Sequence, residues 1–229
     1  GQGRRIYLDW IRELRGTQRE RASGWSGVMS LPKILTLAED GSLRIAPVPE
    51  LEALRLNERR RANLTLADGA EIALHELRGD ALELDLELEP GDARQLGVAV
   101  RCSPDNAERT VVLCDLARGV LAVDTSRSSL DRGIRYAYYR NTRALERLPE
   151  DQRYVSAQEA PFALTVGEPL HLQVYLDRSV LEVFADGRQA LTQRIYPTRT
   201  DSLGVRLYAL GGDAHVTRLR AWDMAPAHA

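Results

Sequence analysis

The chain has 229 residues, 44% hydrophobic and 28% charged, which suits a folded globular protein with a sizeable core. Its 31 Lys plus Arg against 33 Asp plus Glu leave a net charge of −2, which gives no support to a nucleic-acid or anionic-membrane partner. No apolar run approaches the ~20 residues of a membrane-spanning helix, and no signal-peptide pattern opens the chain, which leaves localisation open between cytoplasmic and secreted.

Gly1-Gln2-Gly3 leads straight into strand-like residues without an initiator Met, as expected of a chain cut from a larger one. Residues 4–11 read as a strand and the polar, Arg/Gly-rich residues 12–24 as a loop. Trp25 and Met29 flank glycine-permitted turns. Residues 34–37 read as a strand, 39–42 as its turn and 43–45 as the return. These strands are too few to bury a core and mark the edge of something larger. Pro47 and Pro49 break the pattern, and residues 50–56 read as two helical turns with Pro49 just ahead. Residues 57–62 read as a charged connector, with Arg59-Arg60-Arg61 a solvated linker. The expected division is 1–48, then a short helix and linker at 49–62, then a domain at 63–225.

Beyond residue 62 almost everything reads as strand and turn. Residues 71–77 form one strand. Residues 81–88 alternate strictly, Leu82, Leu84, Leu86 and Leu88 against Glu83, Asp85 and Glu87, which predicts a sheet packed on one face and wet on the other. Residues 96–101 repeat the pattern, and 110–114 with 119–123 predict a hairpin. Residues 127–150 are the least regular and carry Tyr136, Tyr138 and Tyr139. A short strand is expected at 161–166.

The clearest signal spans 171–197. Two β-rich runs flank Asp177-Arg178-Ser179, and Asp186-Gly187 predicts a tight hairpin because both residues tolerate positive φ. Glu182 shares a face with Val180 and Phe184, so its carboxylate needs a partner, with Arg178 and Arg194 the candidates. Strands at 205–210 and 216–222 close the sheets, and the tail from Met224 is expected to fray. Many short strands with regular turns predict an all-β fold, a two-sheet antiparallel β-sandwich.

Candidate sites are few. His75, His171, His215 and His228 lack metal-ligand spacing, and no phosphate loop or cofactor motif occurs. Cys102 and Cys114 lie on neighbouring strands and read either as a disulfide or as two buried thiols. Asp177, Arg178, Glu182 and Arg194 form the best polar constellation, read as structural. Trp10, Trp25, Tyr136, Tyr138 and Tyr139 are candidates for a substrate rim or for packing.

The segments Asp177 to Val180, Glu182-Val183-Phe184, Asp186-Gly187 and Arg194-Ile195-Tyr196-Pro197 resemble the β-sandwich signature of glycoside hydrolase family 32, the β-fructosidases. Arg5-Ile6, Trp10 and the run from Trp25 to Lys33 resemble the last blade of that family's five-bladed propeller, and the stretch from Leu43 to Arg55 its link into the sandwich. Val123-Asp124, Arg127-Ser128-Ser129 and the run from Leu219 to Trp222 resemble further family segments. Asp9 stands where the family usually has Gly, Ile11 where Met is common, and Lys33 where Arg is usual, while Thr125 and Ser126 interrupt an Asp-Arg-Ser.

The resemblance implies a lectin-like jelly-roll sandwich preceded by a remnant of the last blade. It also implies a parent that hydrolyses fructosyl bonds with retention. The family's nucleophile lies in a Trp-Met-Asn-Asp-Pro segment, a second Asp in Arg-Asp-Pro, and the acid/base Glu before a Cys. None of these occurs here, so no catalytic residue is assigned and no activity is expected of the chain alone. The partners implied are the other propeller blades, in the same or a separate chain, with sucrose or fructan as ligand and a homo-oligomer as a further option. A non-catalytic carbohydrate-binding module is the alternative.

Overall fold

The computed structural model describes residues 3–13, 15, 17–137, 147–149, 152, 154–165 and 167–227. The N-terminal block holds β1 (Arg5–Tyr7), β2 (Trp10–Ile11), α1 (Thr17–Ser23), β3 (Val28–Met29), β4 (Lys33–Leu37) and β5 (Leu43–Pro47). The strand expected at 4–11 is split. β1 pairs with β4 in a three-stranded sheet, while β2 pairs with β3. Ser30 fixes the break, donating its N–H to the Asp9 carbonyl at 2.8 Å and accepting from the Asp9 N–H on its hydroxyl at 2.9 Å. The loop expected at 12–24 contains α1, whose TQRERAS sequence has no apolar stripe to announce a helix.

Pro49 opens a 3-10 helix, Pro49–Leu54, that buries Leu51. Arg55 then begins β6 (Arg55–Leu66), so the expected connector at 57–62 is instead part of a long edge strand paired with β19. The three arginines are not a solvated linker. Arg59 pairs with Asp223, Arg60 with Glu58 at 2.8 Å, and Arg61 with Glu76 at 2.7 Å. A charged edge of this kind discourages pairing with a foreign strand, and it hides the strand from hydrophobic periodicity.

The remaining strands are β7 (Glu71–Arg78), β8 (Ala81–Glu89), β9 (Gln95–Cys102), β10 (Thr110–Asp115), β11 (Val120–Asp124), β12 (Tyr136–Ala137), β13 (Tyr154–Val155), β14 (Ala157–Pro161), β15 (Leu170–Asp177), β16 (Val180–Ala185), β17 (Gln189–Arg194), β18 (Gly204–Leu210) and β19 (Ala214–Met224). They form two six-stranded antiparallel sheets, ordered β17-β16-β15-β8-β19-β6 and β14-β11-β10-β9-β18-β7. This is the expected sandwich. Its core lies between the sheets, with Leu82, Leu84, Leu86 and Leu88 of β8 facing Leu96, Val98 and Val100 of β9. The strand expected at 161–166 lies earlier, at 157–161. Pro161 has no N–H to extend the ladder, and Phe162 turns into the core, donating its N–H to the Gly119 carbonyl at 2.8 Å.

Two expectations fail on burial. The second face of β8 is not wet, because Glu83 is fully buried and Asp85 nearly so. That face is covered by the N-terminal block and the 3-10 helix, through a second core of Val48, Leu51, Tyr175 and Phe184 with Ile34, Ile45 and Met224 packed against it. Met224 therefore ends β19 and is not frayed tail. The cysteines are two free buried thiols on opposite faces of one sheet, Cys114 in the main core and Cys102 in an outer cluster with Tyr208. Burial pushes their thiols up, to about 12 and about 11 respectively, so neither is a ready nucleophile.

Candidate functional site

The polar residues that sequence singled out gather along the outer face of the β17-β16-β15-β8-β19-β6 sheet, at its seam with the N-terminal block. Side chains two apart on a strand share a face, and β16 pairs with β17 so that Glu182 lies opposite Thr192 and Val180 opposite Arg194. Glu182 is 1% exposed. Its partner is neither Arg178 nor Arg194. Lys33 of β4 reaches it with Nζ at 2.6 Å, while the Leu31 N–H and the Thr192 hydroxyl donate to it at 2.5 and 3.0 Å. The lysine arrives from the N-terminal block. Glu182 is thus outside the sandwich core, clamped beneath the block.

Two further buried charges line the same seam. Arg55 donates to both oxygens of Glu83, at 2.6 and 2.8 Å, and lies over the Trp222 ring at 4.2 Å. The Tyr175 hydroxyl donates to Glu83 at 2.9 Å. The hydrogen bonds to Glu83 raise the Arg55 pKa, and burial followed by the Glu83 charge raises that of Tyr175, so Arg55 stays charged and Tyr175 neutral. Arg194 is the bulkiest fully buried side chain. It meets Glu13 at 3.4 Å and lies 5.4 and 5.1 Å from the Trp25 and Tyr196 rings. Burial opposes the Glu13 charge, yet hydrogen bonds from Arg15 and Tyr196 hold its carboxyl at about 2.

The other sequence candidates are dispersed. Asp177 and Arg178 are exposed at the β15–β16 turn, and Glu182 bonds to neither. Trp10 and Trp25 are half-exposed on the N-terminal block, Trp10 with the Arg12 guanidinium 5.6 Å over its ring. Gly27, at φ 73, leaves room for the Trp10 indole, since a Cβ there would lie 2.1 Å from its ring nitrogen. Tyr136 is buried, stacked on Tyr196 at 6.3 Å and hydrogen-bonded to the Ser128 hydroxyl at 2.9 Å. Tyr138 and Tyr139 lie outside the described residues.

Sequence reasoning passed over Glu13 and Glu108, and it met Lys33 and Arg55 only as parts of the resemblance, with no site role. The one usable signal was Lys33, the single lysine among 31 basic residues. Glu108 is fully buried and accepts from the Leu130, Thr198 and Arg199 N–H groups and from the Thr198 and Ser202 hydroxyls, at 2.6 to 3.1 Å. Each of these carboxylates is saturated by cations or N–H and O–H donors. That suits fastening, not proton transfer or nucleophilic attack. Among the described residues no group of three His, Cys, Asp or Glu is placed to hold a metal ion.

The N-terminal block is fastened on one side and open on the other. Among the described residues, eight of the twelve exposed large hydrophobics precede residue 44, among them Ile6, Tyr7, Leu8, Trp10, Trp25 and Met29. β1 is also an edge strand of its sheet. Apolar exposure concentrated beside an unpaired edge marks a surface built for contact.

A family model described as glycosyl hydrolases family 32 C terminal matches residues 50–223. The chain is 28% identical to a sucrose-6-phosphate hydrolase of Zymomonas mobilis over 99% of its own length and 40% of the relative's. It is 29% identical to a levanase of Bacillus subtilis over 97% of its length and 32% of the relative's. The chain thus spans 40% or less of these two relatives. A fructan 1-exohydrolase IIa from Cichorium intybus, solved in complex with 1-kestose, shares the fold with a TM-score of 0.80 at 19% identity, covering 98% of this chain and 46% of that one.

Proposed function

The chain belongs to glycoside hydrolase family 32, by its C-terminal region, and from that premise we propose that it is the supporting part of an enzyme cleaving β-fructosyl bonds in sucrose or fructans with retention. The chain corresponds to the non-catalytic sandwich of such a glycosidase. In the reaction, one carboxylate attacks the anomeric carbon and a protonated carboxyl assists departure of the leaving group. The three segments that carry those groups in the family do not occur in residues 1–229. The residues of this chain act on position. They hold the last blade at a fixed pose against the sandwich, so that the remaining blades, in the same or a separate chain, have a rigid seat.

The observation that carries this reading is the two-sided N-terminal block. One side is bolted to the sandwich by Lys33–Glu182 and Arg194–Glu13, and the other presents apolar side chains and an open strand edge. The binding-module alternative finds less support. A glycan platform needs exposed aromatics, whereas Tyr208, on the outer face of the second sheet, is 5% exposed. The test is fructose release from sucrose, inulin and levan. The purified chain releases none above buffer, and activity appears when it is joined to the preceding blades. Hydrolysis by the chain alone overturns the proposal.

A further inference from the structure

A cleft of about 370 Å³ opens beside the seam, between the β15–β16 turn, residues 195–198, the turn at 131–134 and the α1 region. Its charged lining is Arg15, Arg19, Arg101 and Arg178 with Asp80 and Asp131. Two of these arginines are already neutralised. Arg15 bonds to Glu13 at 2.8 Å and Arg19 to Asp131 at 2.5 Å.

Arg101 is not. It is 8% exposed, yet its buried Nε and Nη1 make no hydrogen bond, and its nearest carboxylate, the half-exposed Asp80, stands 3.5 Å from Nη1. A buried guanidinium held by a loose ion pair to half-exposed Asp80, with Glu108 the other carboxylate acting on it, keeps a desolvation cost that a further anion would offset. Arg101 is also conformationally special. Its φ is 51, in the left-handed region that non-glycine residues rarely adopt. It lies where the β9–β18 pairing slips between Gly204 and Arg206, a bulge that turns the side chain towards the cleft. The second cation facing the cleft is Arg178, exposed on the rim, also with φ 51, its N–H bonded to the Asp80 carbonyl at 2.5 Å. The walls are pinned. Ile195 bonds to Ser179 at 2.9 Å, and Glu108 ties Thr198 to Leu130.

We propose that this cleft binds an oxyanion, phosphate or a phosphate monoester of a small polar molecule, held between the guanidinium groups of Arg101 and Arg178. Planar guanidinium forks match tetrahedral oxyanions, and the partly buried position strengthens each charge-assisted hydrogen bond. The cleft exceeds the size of one phosphate group, which leaves room for the carbon skeleton of an ester.

The experiment is calorimetric titration of the whole chain with inorganic phosphate, and with glycerol phosphate, at constant low ionic strength. Saturable binding in the millimolar range or tighter is expected, weakened at least about tenfold in Arg178→Ser and abolished in Arg101→Met. Arg178 is exposed on a turn, so that variant keeps the fold, and Met replaces a buried cation by an apolar chain of similar length. Tighter binding of glycerol phosphate identifies the ester as the ligand, equal binding the free ion, and either supports the site. No saturable heat up to about 10 mM phosphate, equal affinity in Arg178→Ser, or acetate binding as tightly as phosphate overturns it.

Discussion

Replacing Lys33 by Met removes the charge that reaches Glu182 and keeps most of the stem that fills the slot. At the observed 2.6 Å, and with an effective dielectric constant of about 20, the direct attraction is about 6 kcal/mol. Part of that repays desolvation of two groups that are 4% and 1% exposed. Glu182 would keep two donors, the Leu31 N–H and the Thr192 hydroxyl, so the net loss falls at the lower end of the range for breaking a buried pair, about 3 kcal/mol. The double variant Lys33→Met with Glu182→Leu removes both charges together and is expected within about 1 kcal/mol of the parent, because an apolar replacement of a whole ion pair is often neutral. Urea unfolding followed by tryptophan fluorescence reads both. Trp10 and Trp25 report on the N-terminal block and Trp222 on the sandwich. Since Lys33 and Glu182 lie on opposite sides of the seam, the single variant should also expose residues 1–48 to protease before the sandwich unfolds. A loss under about 0.5 kcal/mol in Lys33→Met, or a double variant less stable than the single, refutes the reasoning.

Glu108→Ala should be among the most damaging single changes outside the core, costing about 3–5 kcal/mol in urea unfolding, because five donors lose one buried carboxylate. Burial pushes the Glu108 carboxyl up, but hydrogen bonds from Thr198, Ser202 and Leu130 outweigh it and set its pKa below the ordinary value. Its contribution is therefore complete above the unfolded-state pKa and fades as the pH falls through the lower folded value. The Asp85–His171 contact, at 2.7 Å, works between two limits. Its hydrogen bond to Asp85 raises the His171 pKa against burial, while for Asp85 burial raises the pKa and the contacts with His171 and Arg218 more than reverse that. The pair stabilises fully between about pH 4 and about pH 6.5, the unfolded values, and weakens as pH rises through the folded His171 pKa. Denaturation midpoints for His171→Gln across pH 4–9 should approach the parent's at the alkaline end. Gly212→Ala should destabilise by about 2 kcal/mol or more in thermal unfolding, since its φ is 145 and a Cβ would lie 2.2 Å from the Asp92 carbonyl oxygen.

The sandwich was legible because its strands alternate against one core. Leu82 to Leu88 on β8 and Leu96 to Val100 on β9 announce period two without ambiguity. β6 and β14 were not legible. Twelve residues reading RLNERRRANLTL carry their strand in cross-strand ion pairs, and AQEAP carries no β-branched residue at all. The seam was misread for a related reason. Alternating Leu and Glu on β8 looks the same whether the Glu face meets water or lies under a second layer with an arginine from another strand of its own sheet beside it. Only the position of Arg55, 28 residues from Glu83 in sequence, separates the two cases. Glu182 was rightly marked as needing a partner. Its neighbours on the hairpin were the wrong place to look, because the cation came from 149 positions away along the chain, between residues 33 and 182.

That outcome bears on what the outer face of the sheet does. The inner core is apolar and would hold the two sheets together in several near-equivalent packings of leucine and valine. The second core is small and cannot alone fix how the N-terminal block sits. Two buried charges on the sandwich, Glu182 and Arg194, meet two from the N-terminal block, Lys33 and Glu13. A shift of the block by one residue along any strand would leave each charge buried without its partner, costing several kcal/mol per pair. The seam therefore encodes alignment more than adhesion. In this way the sandwich allows the N-terminal block it carries only one position.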